Sequence, residues 1–253
     1  MCLRILRREI GNLGYGSDFS IYDTDDQKTV MRQVFKELQI DSKMLKERMV
    51  LSSLSSVKNQ GRTVSDYLLE DPEDFLDGKI RACIRLYEEK LKQNNALDFD
   101  DLLLRCKELF EKFPAVLEKY QERFRYILVD EYQDINDIQA TILSFLSRER
   151  RQDLSGNLFM VGDVKQSIYG FRMAEPSLFL AKYQAYQEGK GGHLIVLDAN
   201  YRSRDEILQF TNFVFQRLMD PGFGEMQYGA MESLKTGNHS FLPAPPDPKF
   251  DIE

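Results

Sequence analysis

The chain has 253 residues, 42% of them apolar and 11% aromatic, enough to bury one or two sizeable cores without disulfide or metal staples. Thirty-four Lys and Arg against 41 Asp and Glu leave a net charge of −7, which excludes wholesale disorder and a polybasic nucleic-acid arm while leaving a local basic site open. Cys2, Cys83 and Cys106 are odd in number and widely spaced, which excludes a disulfide framework and a Cys/His zinc site and points to a reducing, cytoplasmic compartment. No apolar run approaches the roughly 18 residues of a membrane span.

Met1 to Ile10 reads as the end of a helix carrying Arg4, Arg7 and Arg8, and the chain is expected to begin in mid-domain. From Asp25 to about Asn95 the pattern is a charged helical block, punctuated at Gly61 and Asp71-Pro72. Its clearest face is Ile80, Ile84, Tyr87 and Leu91, with Arg81, Arg85, Glu88 and Glu89 falling elsewhere.

After Pro114 three short apolar runs follow: Tyr126 to Val129, Leu158 to Val161 and His193 to Leu197. They lack polar alternation and predict strands buried on both faces. Ile138, Ile142, Phe145 and Leu146 between the first two predict a helix, as does Pro176 to Gln187, so the class is α/β with a parallel sheet. Ser203 with Glu206 predicts a capping box for a helix whose buried stripe is Ile207, Thr211, Val214, Phe215 and Leu218. Pro243, Pro245, Pro246 and Pro248 predict an extended tail, and the chain is expected to stop in mid-protein.

Each predicted strand ends in an aspartate: Asp130, Asp163 and Asp198. Ligands of open parallel sheets bind beyond the carboxyl ends of the strands. Four apolar residues followed by Asp130-Glu131 have the form of a Walker B element, in which the first carboxylate holds Mg²⁺ and the second polarises water. The plainer alternative is that this pair caps the next helix.

Asp130-Glu131-Tyr132-Gln133-Asp134, Gly162-Asp163-Val164-Lys165-Gln166-Ser167-Ile168-Tyr169 and Asn200-Tyr201-Arg202-Ser203 resemble motifs II, III and IV of the UvrD/Rep superfamily-one DNA helicases, in order and spacing. Phe19 to Asp23 with Asp26-Gln27 resembles the segment leading into that family's inserted helical subdomain, and Leu97 to Leu103 the segment leading out. Lys165, Phe171-Arg172, Ala174-Glu175-Pro176, Phe210-Thr211-Asn212, Tyr228, Leu234 and Gly237 look most like AddA, a helicase-nuclease subunit of double-strand-break processing; Gly170 departs from it.

The resemblance implies a partial RecA-like P-loop NTPase domain with an inserted all-helical subdomain. Residues 1–24 would end its first segment, 25–97 form the insertion, 98–190 continue the motor domain, and 191–253 begin the second motor domain. It implies ATP and Mg²⁺ as cofactors, with Asp130 and Glu131 at the metal, Glu131 as general base, Gln166 sensing the γ-phosphate, Tyr201 stacking on adenine and Arg202 as an arginine finger. It places Tyr169, Phe171 and Arg172 towards single-stranded DNA and the Arg4 to Arg8 stretch near the DNA backbone. Single- and double-stranded DNA and an AddB-like subunit are the implied partners.

No G-x-x-x-x-G-K-[ST] occurs: Gly78-Lys79 is followed by Ile80 and Gly189-Lys190 by Gly191. The expectation is an internal piece of a larger motor that does not hydrolyse ATP alone. Two other readings compete: a non-enzymatic DNA- or partner-binding remnant, and a Mg²⁺-dependent phosphohydrolase using Asp130, Glu131 and Asp163.

Overall fold

The computed structural model describes residues 1–148, 156–167, 170, 173–220, 222, 226–238 and 240. Its contacts form two compact units, one of Met1–Asp163 with Ser167–Leu178, the other of Val164–Gln166 with Phe179–Glu253. The class is α/β as expected, with strands that pair two by two in parallel.

In the first unit α1 (Cys2–Glu9) leads to β1 (Ser20–Tyr22). Four helices follow, α2 (Thr24–Glu37), α3 (Glu47–Asn59), α4 (Val64–Leu69) and α5 (Phe75–Gln93), before β2 (Ala96–Asp98) pairs with β1, Ser20 opposite Ala96. The helical block read from the periodicity is therefore present between two neighbouring strands. A reciprocal capping box starts α2: Asp23 accepts the Asp25 and Asp26 N–H groups at 2.8 and 2.9 Å, and Asp26 accepts that of Asp23 at 3.2 Å.

Val30, Val34, Val50, Leu54, Ile84, Tyr87 and Leu91 form the core of this block, with Ile80 packed at its margin. Arg81, assigned off the apolar face by spacing, is buried instead. Its guanidinium lies 4.1 Å from the Tyr67 ring centroid, pairs with Asp77 at 2.7 Å and donates to the Tyr67 and Glu70 carbonyls at the end of α4. Burial is tolerated because those groups satisfy the fork.

A second core joins α1 to α6 (Phe99–Lys112), α7 (Pro114–Arg123) and α8 (Asp137–Leu146) through Ile5, Leu6, Leu104, Leu109, Phe110, Tyr120, Ile138, Ile142 and Leu146. Against it lies β3 (Ile127–Val129), paired with β4 (Leu158–Met160), Leu128 opposite Phe159. Burial on both faces is not observed. Ile127 is buried, but Leu128 is 77% and Phe159 52% exposed. Alternate side chains point to opposite faces, and the described residues cover the Ile127 face.

In the second unit the run His193 to Leu197 forms no strand, and Ile195 and Leu197 are exposed. The backbone finds a strand partner two residues later, where β5 (Ala199–Asn200) pairs with β6 (Lys235–Thr236), so Asp198 precedes a strand rather than ending one. Helix α9 (Pro176–Gln187) opens on proline as expected. The Ser203 capping box does not form: α10 (Asp205–Leu218) has Arg204 at its N-cap without a side-chain bond. The Arg202 and Ser203 N–H groups are instead taken by Asn200 Oδ1, both at 2.9 Å. Leu208 carries the burial of α10 and Phe215 meets the Tyr228 ring edge-on, while Ile207 and Leu218 are exposed. The proline-rich tail lies outside the described residues.

Candidate functional site

The chain leaves β3 through Asp130 and Glu131, both exposed. Glu131 turns it with φ 53°, in the left-handed region that a glutamate rarely adopts. The turn is held by backbone bonds: Tyr132 N–H to the Val161 carbonyl at 2.9 Å, Val161 N–H to that of Val129 at 2.8 Å, and Asp134 N–H to that of Glu131 at 2.9 Å. Asp130 Oδ1 accepts the Glu131 N–H at 3.0 Å. A strained residue so restrained is a feature of sites that hold a ligand or a reacting group.

Glu131 makes no capping bond to the turn that follows it. The cap of α8 is Asn136, in a reciprocal box with Gln139 at 3.0 Å each way, so the carboxylates are not spent on capping. Gln133 is buried; its Oε1 accepts the Asp163 N–H at 3.0 Å and its Nε2 donates to Asp134 Oδ2 at 3.3 Å. It thereby fastens the loop after β3 to the loop after β4. The motif spacing assigns Gln133 no role, although a glutamine inside a buried turn must find partners.

Asp134 Oδ1 is buried with no hydrogen-bond partner among the described residues. Asp130 and Glu131 supply two exposed carboxylates, oxygen donors of the kind that a hard cation such as Mg²⁺ takes while it retains most of its waters.

A denser acid cluster lies elsewhere: Glu88, Asp98 and Asp101 have metal-ligand spacing. The Lys58 ammonium occupies its centre, 2.8, 2.8 and 2.9 Å from the three carboxylates. Burial favours a neutral Lys58, but Asp101, Glu88 and Asp98 outweigh it and hold the ammonium well above the usual lysine range. Burial, with Asp101 and Glu88 close by, pushes Asp98 up to about 7 against the pull of Lys58. This cluster carries packing, and nothing in the residue spacing had marked Lys58.

Gln166, in the turn Val164–Gln166, belongs to the second unit together with Tyr201 and Arg202. The Tyr201 ring lies over Gly237, where an added Cβ would come within 2.9 Å of it, so glycine leaves the ring its place. Arg202 is exposed. Asn212 ties α10 to the segment before β6, accepting from the Tyr228 hydroxyl at 2.6 Å and the Leu234 N–H at 2.9 Å. Tyr169, Phe171 and Arg172 lie outside the described residues. Arg4, Arg7 and Arg8 are all exposed, and Arg7 is also engaged within the chain, stacked 4.0 Å from the Phe19 ring centroid and donating to the Ser17 and Phe19 carbonyls.

No helix among the described residues is long and apolar enough to cross a membrane. The ATP-dependent DNA helicases PcrA of Staphylococcus epidermidis and Staphylococcus aureus are each 40% identical to the chain over 216 residues. The alignments cover 85% of this chain and 28% of each relative. Residues 1–187 match the model of the UvrD/REP helicase N-terminal domain. That match takes in β1 to β4, the helices between them and both carboxylate-bearing loops, and the chain belongs to the UvrD/REP helicase family.

Proposed function

We propose that the chain is a motor segment of an ATP-dependent DNA helicase, in which hydrolysis of Mg-ATP beyond β3 and β4 is coupled to movement on single-stranded DNA. The observation that carries the reading is the Gln133 bond to Asp163. It braces two exposed carboxylates on a left-handed turn at the carboxyl edge of parallel strands, where open sheets bind ligands. Family membership and relatives named as ATP-dependent DNA helicases support it.

Asp130 and Glu131 would hold the ion, and Glu131 would take the proton of the attacking water. Magnesium, when bound, supplies neutralisation of phosphate oxygens. Gln166 and Arg202 would meet the γ-phosphate, and Tyr201 would stack on adenine. Tyr169, Phe171 and Arg172 would face the DNA, where stacking contributes about 1–3 kcal/mol per base and tolerates any sequence. On this reading residues 1–24 and 98–190 are parts of a RecA-like domain, 25–97 its helical insertion and 191–253 the start of a second motor domain, working in the cytoplasm.

An AddA-like assignment would add a nuclease elsewhere in the protein, an AddB-like partner subunit, and a role in double-strand-break repair and recombination. It rests on Lys165, Phe171-Arg172 and Ala174-Glu175-Pro176. The helicase step is common to AddA-like and PcrA-like readings.

The 253 residues contain no phosphate-cradling glycine loop or its lysine, so this chain by itself does not hydrolyse ATP. The test is fluorescence anisotropy with labelled single-stranded oligonucleotides of differing sequence, run beside an ATPase assay. Binding indifferent to sequence, weakened roughly 5- to 150-fold by Phe171→Ala, and no ATP turnover are expected. Absence of single-strand binding would overturn the DNA assignment, and turnover abolished by Glu131→Gln would overturn the inactivity.

A further inference from the structure

The helical block touches the carboxylate loop through a side chain that the motifs do not include. Asn59, the last residue of α3, sends its Oδ1 to Asn136, whose Nδ2 donates at 3.3 Å, and its Nδ2 to Asp100 Oδ1 at 3.1 Å. Its Nδ2 also lies 2.9 Å from the Ser55 carbonyl, which fixes the amide against its own helix. Asn136 is buried and closes the loop that begins at Asp130, capping α8 with its Oδ1. Next to Asn59, Lys58 is locked among Glu88, Asp98 and Asp101, so the end of α3 has little freedom to drift. Asn59 therefore stands between a rigid helix end and the backbone that carries Glu131 on its left-handed turn.

We infer that Asn59 is a positioning residue: through Asn136 it sets the loop geometry that aims Asp130 and Glu131, and it makes the helical block sensitive to what those carboxylates hold. The inference rests on the carboxylates being the ion-binding pair proposed above. Asn136→Ser provides a second route to the same break, because serine keeps the N-cap acceptor but has no amide to reach Asn59.

The experiment is amide hydrogen exchange on the full chain, with Mn²⁺ as a paramagnetic probe of the carboxylates followed by NMR line broadening. In Asn59→Ala and in Asn136→Ser, amides of Tyr132, Asp134 and Ile135 are expected to exchange at least tenfold faster, those of Ile84 to Leu91 in α5 to be unchanged, and Mn²⁺ to bind at least threefold more weakly. Unchanged exchange at Tyr132 to Ile135 overturns the inference, as does faster exchange spread equally over α5 or faster loop exchange with unaltered Mn²⁺ affinity. If Mn²⁺ broadens neither Asp130 nor Glu131 in the unsubstituted chain, the ion-binding assignment fails, and exchange alone decides whether Asn59 sets the loop.

Discussion

Lys58 at the end of α3 and Asp98 at the end of β2 meet at 2.8 Å, forty residues apart in the chain and both all but removed from water. Glu88 and Asp101 share the same ammonium, and Arg105 lies 3.3 Å from Glu88 and 2.9 Å from Glu108. The Asp98 carboxyl is pushed up to about 7, first by burial and then, against the attraction of Lys58, by Asp101 and Glu88. The junction of the helical block with the strands is thus an electrostatic lock whose charge state changes near neutrality.

Lys58→Met keeps much of the volume of the side chain and removes its charge, taking the paired cation from buried Asp98 and leaving Glu88 and Asp101 with Arg105 alone. The expected loss of folding stability at pH 8 is about 3–5 kcal/mol, measured by urea unfolding. It should shrink at pH 5, where the carboxylates can protonate. An unchanged midpoint at pH 8 would show that the lock contributes nothing.

The pH dependence of the unsubstituted chain carries the signature of Asp98. Its folded-state value of about 7 lies above the ordinary 3.8, so the folded state holds the proton more tightly, and the stability this contributes is complete below about 4 and lost as pH rises through 7. Asp101 acts in the opposite sense: burial raises it, but Lys58 and Arg105 prevail and hold it below the usual range, so its support is lost in acid. Asp98→Asn keeps an N-cap side chain and removes the titration. The decline in urea midpoint between pH 5 and 8 should flatten in that variant; an identical slope would exclude Asp98 as its source.

Tyr87 is fully buried and its hydroxyl has no hydrogen-bond partner among the described residues. Burial raises its ionisation above the usual range, so the phenol stays neutral and its desolvation is uncompensated. Tyr87→Phe should leave stability unchanged or raise it by up to about 1 kcal/mol. A loss of comparable size in thermal and urea unfolding would reveal a partner for the hydroxyl.

Gln133→Ala removes the acceptor of the Asp163 N–H and leaves a partly buried donor unsatisfied. The cost should be about 1–3 kcal/mol, with the Asp163 amide exchanging at the rate of an open loop. Retained protection at Asp163 would mean that the two loops are fastened by another contact.

Legibility in the sequence followed the range of the interactions. The helices of the block, Ile84, Tyr87 and Leu91 on one face of α5, and the pair β3 and β4 follow local periodicity, and the structure carries them. Asp130-Glu131 at the end of β3 was legible for the same reason. Arg81 and Lys58 were not, because their burial depends on partners brought in by the fold, Tyr67 and Glu70 for the first, Asp98 and Asp101 for the second. The failed capping box at Ser203 has a similar cause: Asn200, three residues earlier, captures its N–H before the helix begins. The strand expected at His193 to Leu197 failed because an apolar run becomes a strand through a neighbour to bond with, and Lys235-Thr236 offers that to Ala199-Asn200.

The carboxylate loop after β3 is proposed to serve ATP hydrolysis in a DNA motor. The most direct measurement is DNA-stimulated ATP turnover by Staphylococcus aureus PcrA in which the aligned 216-residue stretch is replaced by that of this chain. Turnover is expected to depend on single-stranded DNA and to fall by orders of magnitude with Glu131→Gln, while ATP binding persists. A folded chimera that binds ATP and DNA yet hydrolyses nothing, or one whose turnover is indifferent to Glu131→Gln, would contradict it.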